Sequence, residues 1–302
     1  MIEKWLLNNA PKAASRLTEI NKNELMGENI SGFGMKNKVV KFIDLVRTAM
    51  FPSIYHEDGT RIDFLDIIVC DKLQQAAILL YEMTSEVMVN KCTMIDKGGA
   101  ECDGCNQNAK NVTIEFMDNL PEIAEILHTD IQAAYEGDPA ALSKEEILLS
   151  YPAFEAISIF RLAHKLFTLK VPLLPRIMTE YAHSMTGIDI HPGATIGNYF
   201  FIDHGTGVVI GETCEIGERV KIYQGVTLGA KSFELDENGN PVKGIKRHPN
   251  IEDNVVIYAG ATILGGTTTI GKGSVIGGNV WLMESVVPGS TVYNSTPNPK
   301  IR

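Results

Sequence analysis

Two stretches of this 302-residue chain decide its fold. Residues 187–229 read GIDIHPGATIGNYFFIDHGTGVVIGETCEIGERVKIYQGVTLG, and residues 250–282 read NIEDNVVIYAGATILGGTTTIGKGSVIGGNVWL. In both stretches an aliphatic side chain returns at every sixth position with only three interruptions, a period that fits neither a helix nor an ordinary strand. The anchors of the repeat are Ile190, Ile196, Ile202, Ile210, Ile216, Ile222, Leu228, Ile251, Ile257, Ile263, Ile270, Ile276 and Leu282.

The residues between the anchors fit a coil of short strands. The fourth position after an anchor is mostly small or β-branched, with Phe200 as the exception, and glycine recurs just after several anchors, where the chain must turn. A sustained period of six predicts a parallel β-helix in which each coil buries the next, with about five coils at roughly three hexads per coil. A β-sandwich with accidental spacing is the alternative.

The N-terminal part of the chain has helical periodicity instead. The sequence pattern predicts one short helix within residues 1–30 and a glycine-rich loop at residues 90–110. Asn119 is expected to cap a helix, and Ser143 with Glu146 to form a capping box. The longer predicted helices cover residues 36–50, 63–89, 112–136, 154–170 and 175–185.

These patterns divide the chain near Gly187. An α-helical domain of about six to eight helices is predicted for residues 1–187, and a β-helix for residues 188–302. The β-helix carries an excursion loop at 230–247 and ends in a short tail from Pro288. The helical domain is expected to cover one end of the β-helix, where edge strands would otherwise be exposed.

The charge and hydropathy of the chain exclude several classes of partner. The formal net charge is −10 and the isoelectric point lies near 5.2, so neither nucleic acid nor an anionic membrane surface is an expected partner, because both favour a basic face. No run of about eighteen apolar residues occurs, and the N-terminus lacks a signal-peptide pattern. We expect a cytoplasmic protein that does not enter the membrane.

Five cysteines, an odd number, are expected to be mostly free thiols in a reducing compartment. Cys214 lies at an inward position of the repeat and is assigned to the core. Cys102 and Cys105 form a C-x-x-C motif with Cys92 upstream, which could offer three thiolates to a metal. A zinc site usually needs a fourth Cys or His, and none stands at a suitable spacing. A solvated glycine-rich turn is therefore preferred, and no metal is expected.

The hexad period breaks at three places, and a loop that leaves a rigid scaffold can place polar groups freely. The breaks are residues 203–207, residues 230–250 and one extra residue before Ile270, which indicates a bulge. The lysines and Arg247 of the excursion loop belong either to a solvated surface of mixed charge or to a site for a phosphorylated ligand.

The two largest breaks contain candidate catalytic residues. His204 lies in the first, and Arg247 and His248 end the second, while Asp189 lies fifteen residues before His204. A carboxylate beside an imidazole fixes its tautomer and stabilises the cation that forms when the imidazole takes a proton. A single histidine on a corner is more often a scaffold residue, but the position of two of them at the breaks favours a functional role.

The motifs that accompany these residues resemble those of a known family. They are Asp138-Pro139-Ala140, Gly187-Ile188-Asp189-Ile190-His191-Pro192, Ile202-Asp203-His204-Gly205-Thr206-Gly207, Gly211-Glu212, Gly225-Val226-Thr227-Leu228-Gly229 and Arg247-His248-Pro249. Together they closely resemble bacterial serine O-acetyltransferases of the hexapeptide-repeat acyltransferase family, over residues 130–300. The resemblance implies an α-helical N-terminal domain followed by a left-handed parallel β-helix. It also implies a homotrimer with active sites between neighbouring β-helices, or a dimer of trimers joined by the helical domains.

The resemblance further implies acetyl transfer from acetyl-CoA to the hydroxyl of L-serine, the first step of cysteine biosynthesis. It makes His204 the general base and Asp189 the residue that orients it. The carboxylates would bind the ammonium of serine, and the arginine its carboxylate. The residues assigned to the amino acid are Asp138, Asp203, Arg247 and His248. The small residues expected to line the path of the coenzyme arm are Gly229, Ala230, Ala259 and Gly278.

Two features depart from the family pattern. The loop that follows Gly229 is longer than the short glycine-rich loop of most members, and the chain stops at Arg302, soon after the β-helix. Many members extend further and end in an isoleucine that docks into cysteine synthase, so docking by that route is not expected. Feedback inhibition by L-cysteine, which competes at the serine site in the family, is expected.

Three other functions remain open at this point. The same fold could acylate homoserine or a sugar, or use another acyl-CoA, although Arg247 and the nearby acids favour a zwitterionic acceptor. A zinc enzyme of the γ-carbonic anhydrase type could use His191, His204 and His248, but their spacing differs from that family's pattern. A non-catalytic scaffold is the third alternative.

Overall fold

The computed structural model describes residues 2–24, 32–56, 64–95 and 103–295. In these ranges ten helices come first in the chain. They are α1 (Ile2–Asn8), α2 (Ala10–Glu24), α3 (Gly32–Met50), α4 (Pro52–Tyr55), α5 (Leu65–Ile95), α6 (Asp103–Asp118), α7 (Leu120–Gly137), α8 (Lys144–Ser150), α9 (Pro152–Thr168) and α10 (Leu174–Thr186). None of these helices is long and apolar enough to cross a membrane.

The predicted loop at 90–110 is mostly helical, so that prediction was wrong. Helix α5 continues to Ile95, and α6 begins at Asp103. Ala109, Val112 and Phe116, spaced three and four apart, are buried in the core, and this packing outweighs the low helix propensity of the nearby glycine. Cys105 lies in α6, half-buried against the core. Cys102 and the side chain of Cys92 lie outside the described residues, as does the tail after residue 295.

The two predicted helix caps have different outcomes. Asn119 has helical backbone angles and makes no cap bond, because its amide donates to the carbonyl of Glu115 at 2.8 Å. The prediction for Asn119 was therefore wrong. Ser143 does cap α8, and its Oγ accepts from the N–H of Glu146 at 3.2 Å. The Glu146 carboxylate accepts from the N–H of Leu142 at 2.8 Å, one residue earlier than in a capping box.

Fourteen short strands follow α10 among the described residues. They are β1 (Asp189–Ile190), β2 (Thr195–Ile196), β3 (Phe201–Asp203), β4 (Val209–Ile210), β5 (Glu215–Ile216), β6 (Lys221–Tyr223), β7 (Thr227–Gly229), β8 (Asn250–Ile251), β9 (Val256–Ile257), β10 (Thr262–Leu264), β11 (Thr269–Ile270), β12 (Val275–Ile276), β13 (Trp281–Leu282) and β14 (Thr291–Val292). They form three parallel sheets: sheet A is β1-β4-β7-β10-β13, sheet B is β2-β5-β8-β11, and sheet C is β3-β6-β9-β12-β14.

The hexad anchors stack in register from coil to coil, as the period predicted. In sheet A, Ile190 pairs with Ile210, Ile210 with Leu228, and Leu228 with Ile263. These four side chains are at most 2% exposed, and burying one aliphatic side chain of this size contributes about 1.5–3 kcal/mol. The column of anchors is therefore the core of the β-helix, and the outward residues are free to carry chemistry.

Two corners of the β-helix lie at the two ends of the sheet A strands. Corner CA, where sheet C passes into sheet A, consists of residues 204–208, 224–226, 258–261 and 277–280. Corner AB, where sheet A passes into sheet B, consists of residues 191–194, 211–214, 230–249 and 265–268. The excursion loop leaves corner AB, and Leu235 and Pro241 form an antiparallel bridge within it.

Helices α7 and α9 cover the first coil of the β-helix. Arg161 of α9 donates to the carbonyls of Ile196 at 2.7 Å and Gly197 at 2.8 Å, and it forms two 2.9 Å hydrogen bonds to Asp130 of α7. Asp130 in turn accepts from the N–H of Phe200 at 3.0 Å. These three backbone groups of the first coil, which would otherwise belong to an open edge, therefore have partners in the helical half.

Candidate active site

His204 lies at corner CA, directly after β3. Its backbone is left-handed, with φ of 60°, and Gly205 follows with φ of 101°. The β-helix turns sharply here, and the imidazole points away from the core, since the side chain of His204 is 72% exposed. Its Nε2 lies 3.8 Å from Oδ1 of Asp203. The corner thus presents an accessible imidazole beside a carboxylate.

Asp203 is also paired with a lysine that sequence reasoning had not singled out. Lys221 of β6 places its Nζ 3.1 Å from Oδ2 of Asp203 and donates to the carbonyl of Gly137 at 2.7 Å. The ammonium also lies over the rings of Phe201 and Tyr223. Burial opposes the charged form, but hydrogen bonds to Tyr223 and Asp203 and their charges raise the pKa of Lys221. Lys221 stays charged at neutral pH and compensates the charge of Asp203.

Asp138, the residue that follows α7, lies in the same group. Its Oδ2 accepts from the hydroxyl of Tyr151 at 2.6 Å, and its Oδ1 accepts from the N–H of Ala140 at 2.8 Å. The pKa of Asp138 is lowered, first by the bond from Tyr151 and then by the bond from Ala140, with smaller contributions from the charges of Lys221 and His204. We call this group the base half-site, and its members are Asp138, Tyr151, Asp203, His204 and Lys221.

Arg247 and His248 lie at corner AB, at the other end of sheet A. Nη2 of Arg247 donates to Glu212 at 2.5 Å. The Oγ1 of Thr213 accepts from the N–H groups of Arg247 at 2.9 Å and of His248 at 3.1 Å. Burial would raise the pKa of Glu212, but the hydrogen bond and charge of Arg247 outweigh it, so this pKa is lowered. We call this group the arginine half-site, and its members are His191, Glu212, Thr213, Arg247 and His248.

The imidazole of His248 is held neutral and in one tautomer. Its Nδ1 accepts from the N–H of Thr213 at 3.0 Å, which leaves the ring proton on Nε2. Burial and the charge of Arg247 lower the pKa of His248 to about 4. Burial also lowers the pKa of His191, whose Nδ1 accepts from the N–H of Gly193 at 3.0 Å. His248 is therefore a hydrogen-bond donor at neutral pH and not a cation.

The ring of His248 lies directly against Gly211, where a Cβ would overlap its Cδ2 and Nε2 atoms. Gly211→Ala should therefore displace His248, lower the unfolding temperature and weaken binding at the arginine half-site. We expect a rise in the KM of the acceptor substrate together with a loss of stability, measured by steady-state kinetics and thermal unfolding. In a His248→Ala background the overlap is gone, so adding Gly211→Ala should cost little further stability. An equal cost in both backgrounds would contradict the packing that we describe.

Asp189 does not touch His204 within one chain. No hydrogen bond or ion pair joins these two described side chains, and Asp189 lies instead near Glu180 and His183 of α10, with ligand atoms within 4.8 Å of one another. Glu180 already forms an ion pair with Arg176 at 2.5 Å, so its carboxylate is not free to serve as a metal ligand in this group. Asp189 starts sheet A, on its outer face, between the two half-sites.

The structure groups the predicted site residues into two sets. Asp138, Asp203 and His204 come together at corner CA, whereas Arg247 and His248 come together at corner AB. The coenzyme residues divide in the same way, because Ala259 and Gly278 stack in successive coils at corner CA, while Gly229 ends β7 and Ala230 begins the excursion loop at corner AB. Each corner therefore carries part of each predicted binding site. Of the three histidines of the zinc alternative, His204 lies apart from the other two within one chain.

Tyr151, Lys221 and Thr213 belong to the two half-sites but were missed by sequence reasoning. Lys221 stands one position before the anchor Ile222, at an outward position. It pairs with Phe201 of the preceding coil. A basic residue at an outward position, one coil after the break in the repeat that contains His204, was the sequence signal that could have identified Lys221. Tyr151 directly precedes Pro152, a position typical of a helix boundary, and no sequence pattern places it near Asp138.

The excursion loop forms a cavity beside the arginine half-site. The cavity has a volume of about 830 Å³, and its walls include Glu212 and Arg247 on the β-helix and Phe233, Val242 and Lys243 on the loop. A volume of this size lies within the range of small-molecule sites. The loop thus extends the arginine half-site outward with both apolar and basic groups.

A β-helix of hexapeptide repeats with an accessible corner histidine beside carboxylates defines the class of hexapeptide-repeat acyltransferases. A plasmid-borne serine acetyltransferase of Synechococcus elongatus is 51% identical over 250 residues, covering 82% of this chain and 77% of that protein. The Bacillus subtilis serine acetyltransferase is 47% identical over 167 residues, covering 55% of this chain and 72% of that protein. The chain belongs to the serine acetyltransferase family.

Solved structures agree with this assignment. Serine acetyltransferase 1 of Entamoeba histolytica in complex with L-cysteine matches with a TM-score of 0.72 and 36% identity, covering 84% of this chain and 86% of that one. The Neisseria gonorrhoeae serine acetyltransferase in complex with serine matches with a TM-score of 0.54 and 26% identity, covering 86% and 96%. These matches confirm the predicted helical region followed by a left-handed parallel β-helix. No protein-family model matches the chain.

Proposed function

We propose that this enzyme transfers the acetyl group of acetyl-CoA to the hydroxyl of L-serine. The observation that carries the proposal is the base half-site, where one exposed imidazole stands beside two carboxylates that can hold an ammonium group. An amino-acid acceptor needs such an anionic contact, whereas a sugar acceptor does not. Membership of the serine acetyltransferase family supports the same acceptor.

In the proposed reaction His204 acts as general base. An imidazole nitrogen takes the proton of the serine hydroxyl while the serine oxygen bonds to the thioester carbonyl carbon. The carbon–sulfur bond then breaks, and the imidazolium returns the proton to the departing thiolate, which gives O-acetylserine and coenzyme A. The nearby charge of Asp203 stabilises the imidazolium, and the exposure of His204 leaves room for both substrates.

Arg247 and His248 would bind the serine carboxylate from a second copy of the chain. Within one chain they lie at the opposite end of sheet A from His204, so a single copy cannot offer both half-sites to one serine molecule. A trimer with its sites between neighbouring β-helices brings corner CA of one copy to corner AB of the next. Asp189, which has no contact with His204 of its own chain, would orient the His204 of a neighbouring copy.

The coenzyme would follow the same boundary. The small residues at the two corners, Ala259 and Gly278 on one copy and Gly229 and Ala230 on the next, let a narrow thioester arm approach the backbone. L-cysteine has the ammonium and carboxylate of serine, so it would compete at the same site. The complex of the Entamoeba relative with L-cysteine supports this inhibition.

A parallel assay of acceptors tests the proposed function. The purified enzyme is given acetyl-CoA with L-serine, L-homoserine or hexoses, and release of the coenzyme thiol is followed. We expect serine to be the best acceptor by kcat/KM and L-cysteine to raise the KM for serine. Activity on sugars alone would refute the proposal, and stoichiometric zinc whose loss abolishes activity would favour the zinc-enzyme alternative.

Mixing two inactive variants tests whether the site is shared. His204→Ala removes the base half-site and Arg247→Ala the arginine half-site, so each variant alone should be nearly inactive. When the two are co-expressed with different tags and mixed trimers are purified through both tags, each trimer contains one intact site out of three, so about a third of the wild-type activity should return. Activity that stays at the level of the single variants would place both half-sites of each site in one chain.

A further inference from the structure

The two carboxylates of the base half-site are held in different ways. Asp203 faces two basic side chains, since Oδ2 lies 3.1 Å from the ammonium of Lys221 and Oδ1 lies 3.8 Å from Nε2 of His204. Asp138 receives its two hydrogen bonds from neutral donors, the hydroxyl of Tyr151 and the N–H of Ala140. The charge of Asp203 is therefore largely compensated inside the protein, and that of Asp138 is not.

An uncompensated carboxylate is the better partner for a substrate ammonium. An ionised carboxylate can accept about four hydrogen bonds, so two neutral donors fix its orientation and still leave lone pairs for a ligand. Lys221 and His204 act on Asp138 through their charges, and these charges lower the pKa of Asp138 less than its two hydrogen bonds do. The strength of an ammonium contact depends on how firmly Asp138 is held in place, because a bond to a charged group is sensitive to geometry.

Tyr151 is itself firmly placed. Its N–H donates to the carbonyl of Ile147 at 3.2 Å, at the end of α8, and its carbonyl accepts from the N–H of Phe154 at 3.0 Å, in the first turn of α9. Its ring packs against the hydrophobic core. Backbone and ring thus hold Tyr151 independently of its hydroxyl, and the hydroxyl reaches Asp138 at 2.6 Å.

We propose that Tyr151 is a positioning residue for the amino-acid substrate, which holds Asp138 in the orientation that binds the substrate ammonium, and that Asp138 carries this contact more than Asp203 does. The inference rests on the proposed serine acetyl transfer. Tyr151 has no place in the chemical step, because its hydroxyl is occupied by Asp138 and the base is His204. Its effect therefore belongs to acceptor binding.

Tyr151→Phe removes the hydroxyl and keeps the ring that packs on the core. We expect the KM for serine to rise roughly 10- to 100-fold, the range that the loss of one hydrogen bond to a charged group would give. The kcat and the KM for acetyl-CoA should change less than about twofold, since the base and the coenzyme path are untouched. Tyr135→Phe, which removes an exposed hydroxyl from the last turns of α7, is the matched control and should leave all three constants unchanged.

A double-mutant cycle separates this role from a purely structural one. In an Asp138→Asn background, Tyr151→Phe should add little to the KM for serine, because the carboxylate through which it acts is gone. In an Asp203→Asn background its full effect should persist. Thermal unfolding of each variant is measured alongside, and similar melting temperatures are expected.

The possible outcomes each decide a separate point. An unchanged KM for serine in Tyr151→Phe, or an equal effect in both backgrounds, would overturn the role of Tyr151 while leaving serine acetyl transfer intact. A larger rise in KM from Asp203→Asn than from Asp138→Asn would overturn the ranking of the two carboxylates. A wild-type enzyme that fails to acetylate serine would refute the proposed function and this inference with it. A fall in kcat that parallels a loss of folded protein would show that the hydroxyl is structural.

Discussion

His204→Ala should lower kcat by about 10²- to 10⁴-fold, the contribution of a positioned general base. The imidazole is the one basic side chain exposed at corner CA among the described residues, and Asp203 beside it can stabilise its protonated form. The KM for serine should change little, because the carboxylates that we propose to bind its ammonium remain. Steady-state kinetics with acetyl-CoA and serine measure this effect, and near-native kcat would show that another group is the base.

The backbone at residue 204 calls for a second variant. Its φ of 60° is left-handed, a conformation that asparagine tolerates better than alanine. His204→Asn therefore keeps the corner intact while removing the base, and it should lose kcat as His204→Ala does. Because the side chain is 72% exposed, free imidazole can enter the space left by His204→Ala, and added imidazole should restore part of the activity. Asp189→Asn should cost less than either, since it disturbs the orientation of the base without deleting it.

The hexad repeat made the β-helix predictable, because each anchor is a buried side chain whose position in the coil follows from counting. Counting from the anchors also locates the two histidines. His204 lies two residues after Ile202, the third anchor of its coil, while His248 lies three residues before Ile251, the second anchor of another. The phase of the repeat alone therefore assigns these residues to corners CA and AB, and so to two half-sites.

The remaining partners could not be predicted from the sequence for a physical reason. Lys221 meets the carbonyl of Gly137 across 84 residues of sequence, and this contact depends on how the end of α7 docks on the β-helix. Docking of this kind is determined by three-dimensional packing, which leaves no period in the sequence. The incorrect prediction of a loop at 90–110 has a similar origin, because the contacts of α6 with the core outweigh the low helix propensity of the local glycine.

Arg161→Met should lower the free energy of unfolding by about 3–5 kcal/mol, the cost of leaving a buried charge without its partner. The side chains of Arg161 and Asp130 are only 7% and 1% exposed, and two 2.9 Å bonds join them. The substitution also leaves the carbonyls of Ile196 and Gly197 without their donor. Urea unfolding followed by helical circular dichroism measures the loss.

The loss should depend on pH in a defined direction. Burial raises the pKa of Asp130, and Arg161 and the N–H of Phe200 oppose this shift. Without Arg161 the folded pKa lies further above the unfolded value of about 3.9, so protonation stabilises the folded variant. The deficit of Arg161→Met should therefore be largest near neutral pH and shrink as the pH falls toward about 4. A deficit that is constant over this range would show that lost packing, and not the buried charge, is the cause.

Arg161→Met should also affect the binding of serine at the active site. Helix α7 carries Asp130 and ends at Gly137, directly before Asp138, so loss of the Arg161–Asp130 contact frees the helix end that places Asp138 beside Asp203. We expect Arg161→Met to raise the KM for serine at temperatures where the protein is still folded. Arg219→Met is the matched control, because Arg219 is exposed and lies over the ring of Tyr199, a contact of about 0.5–1 kcal/mol. Arg219→Met should lower the free energy of unfolding by no more than that amount and should leave the KM for serine unchanged. If both variants behaved alike, the Arg161–Asp130 pair would not be what fixes the helical half to the β-helix.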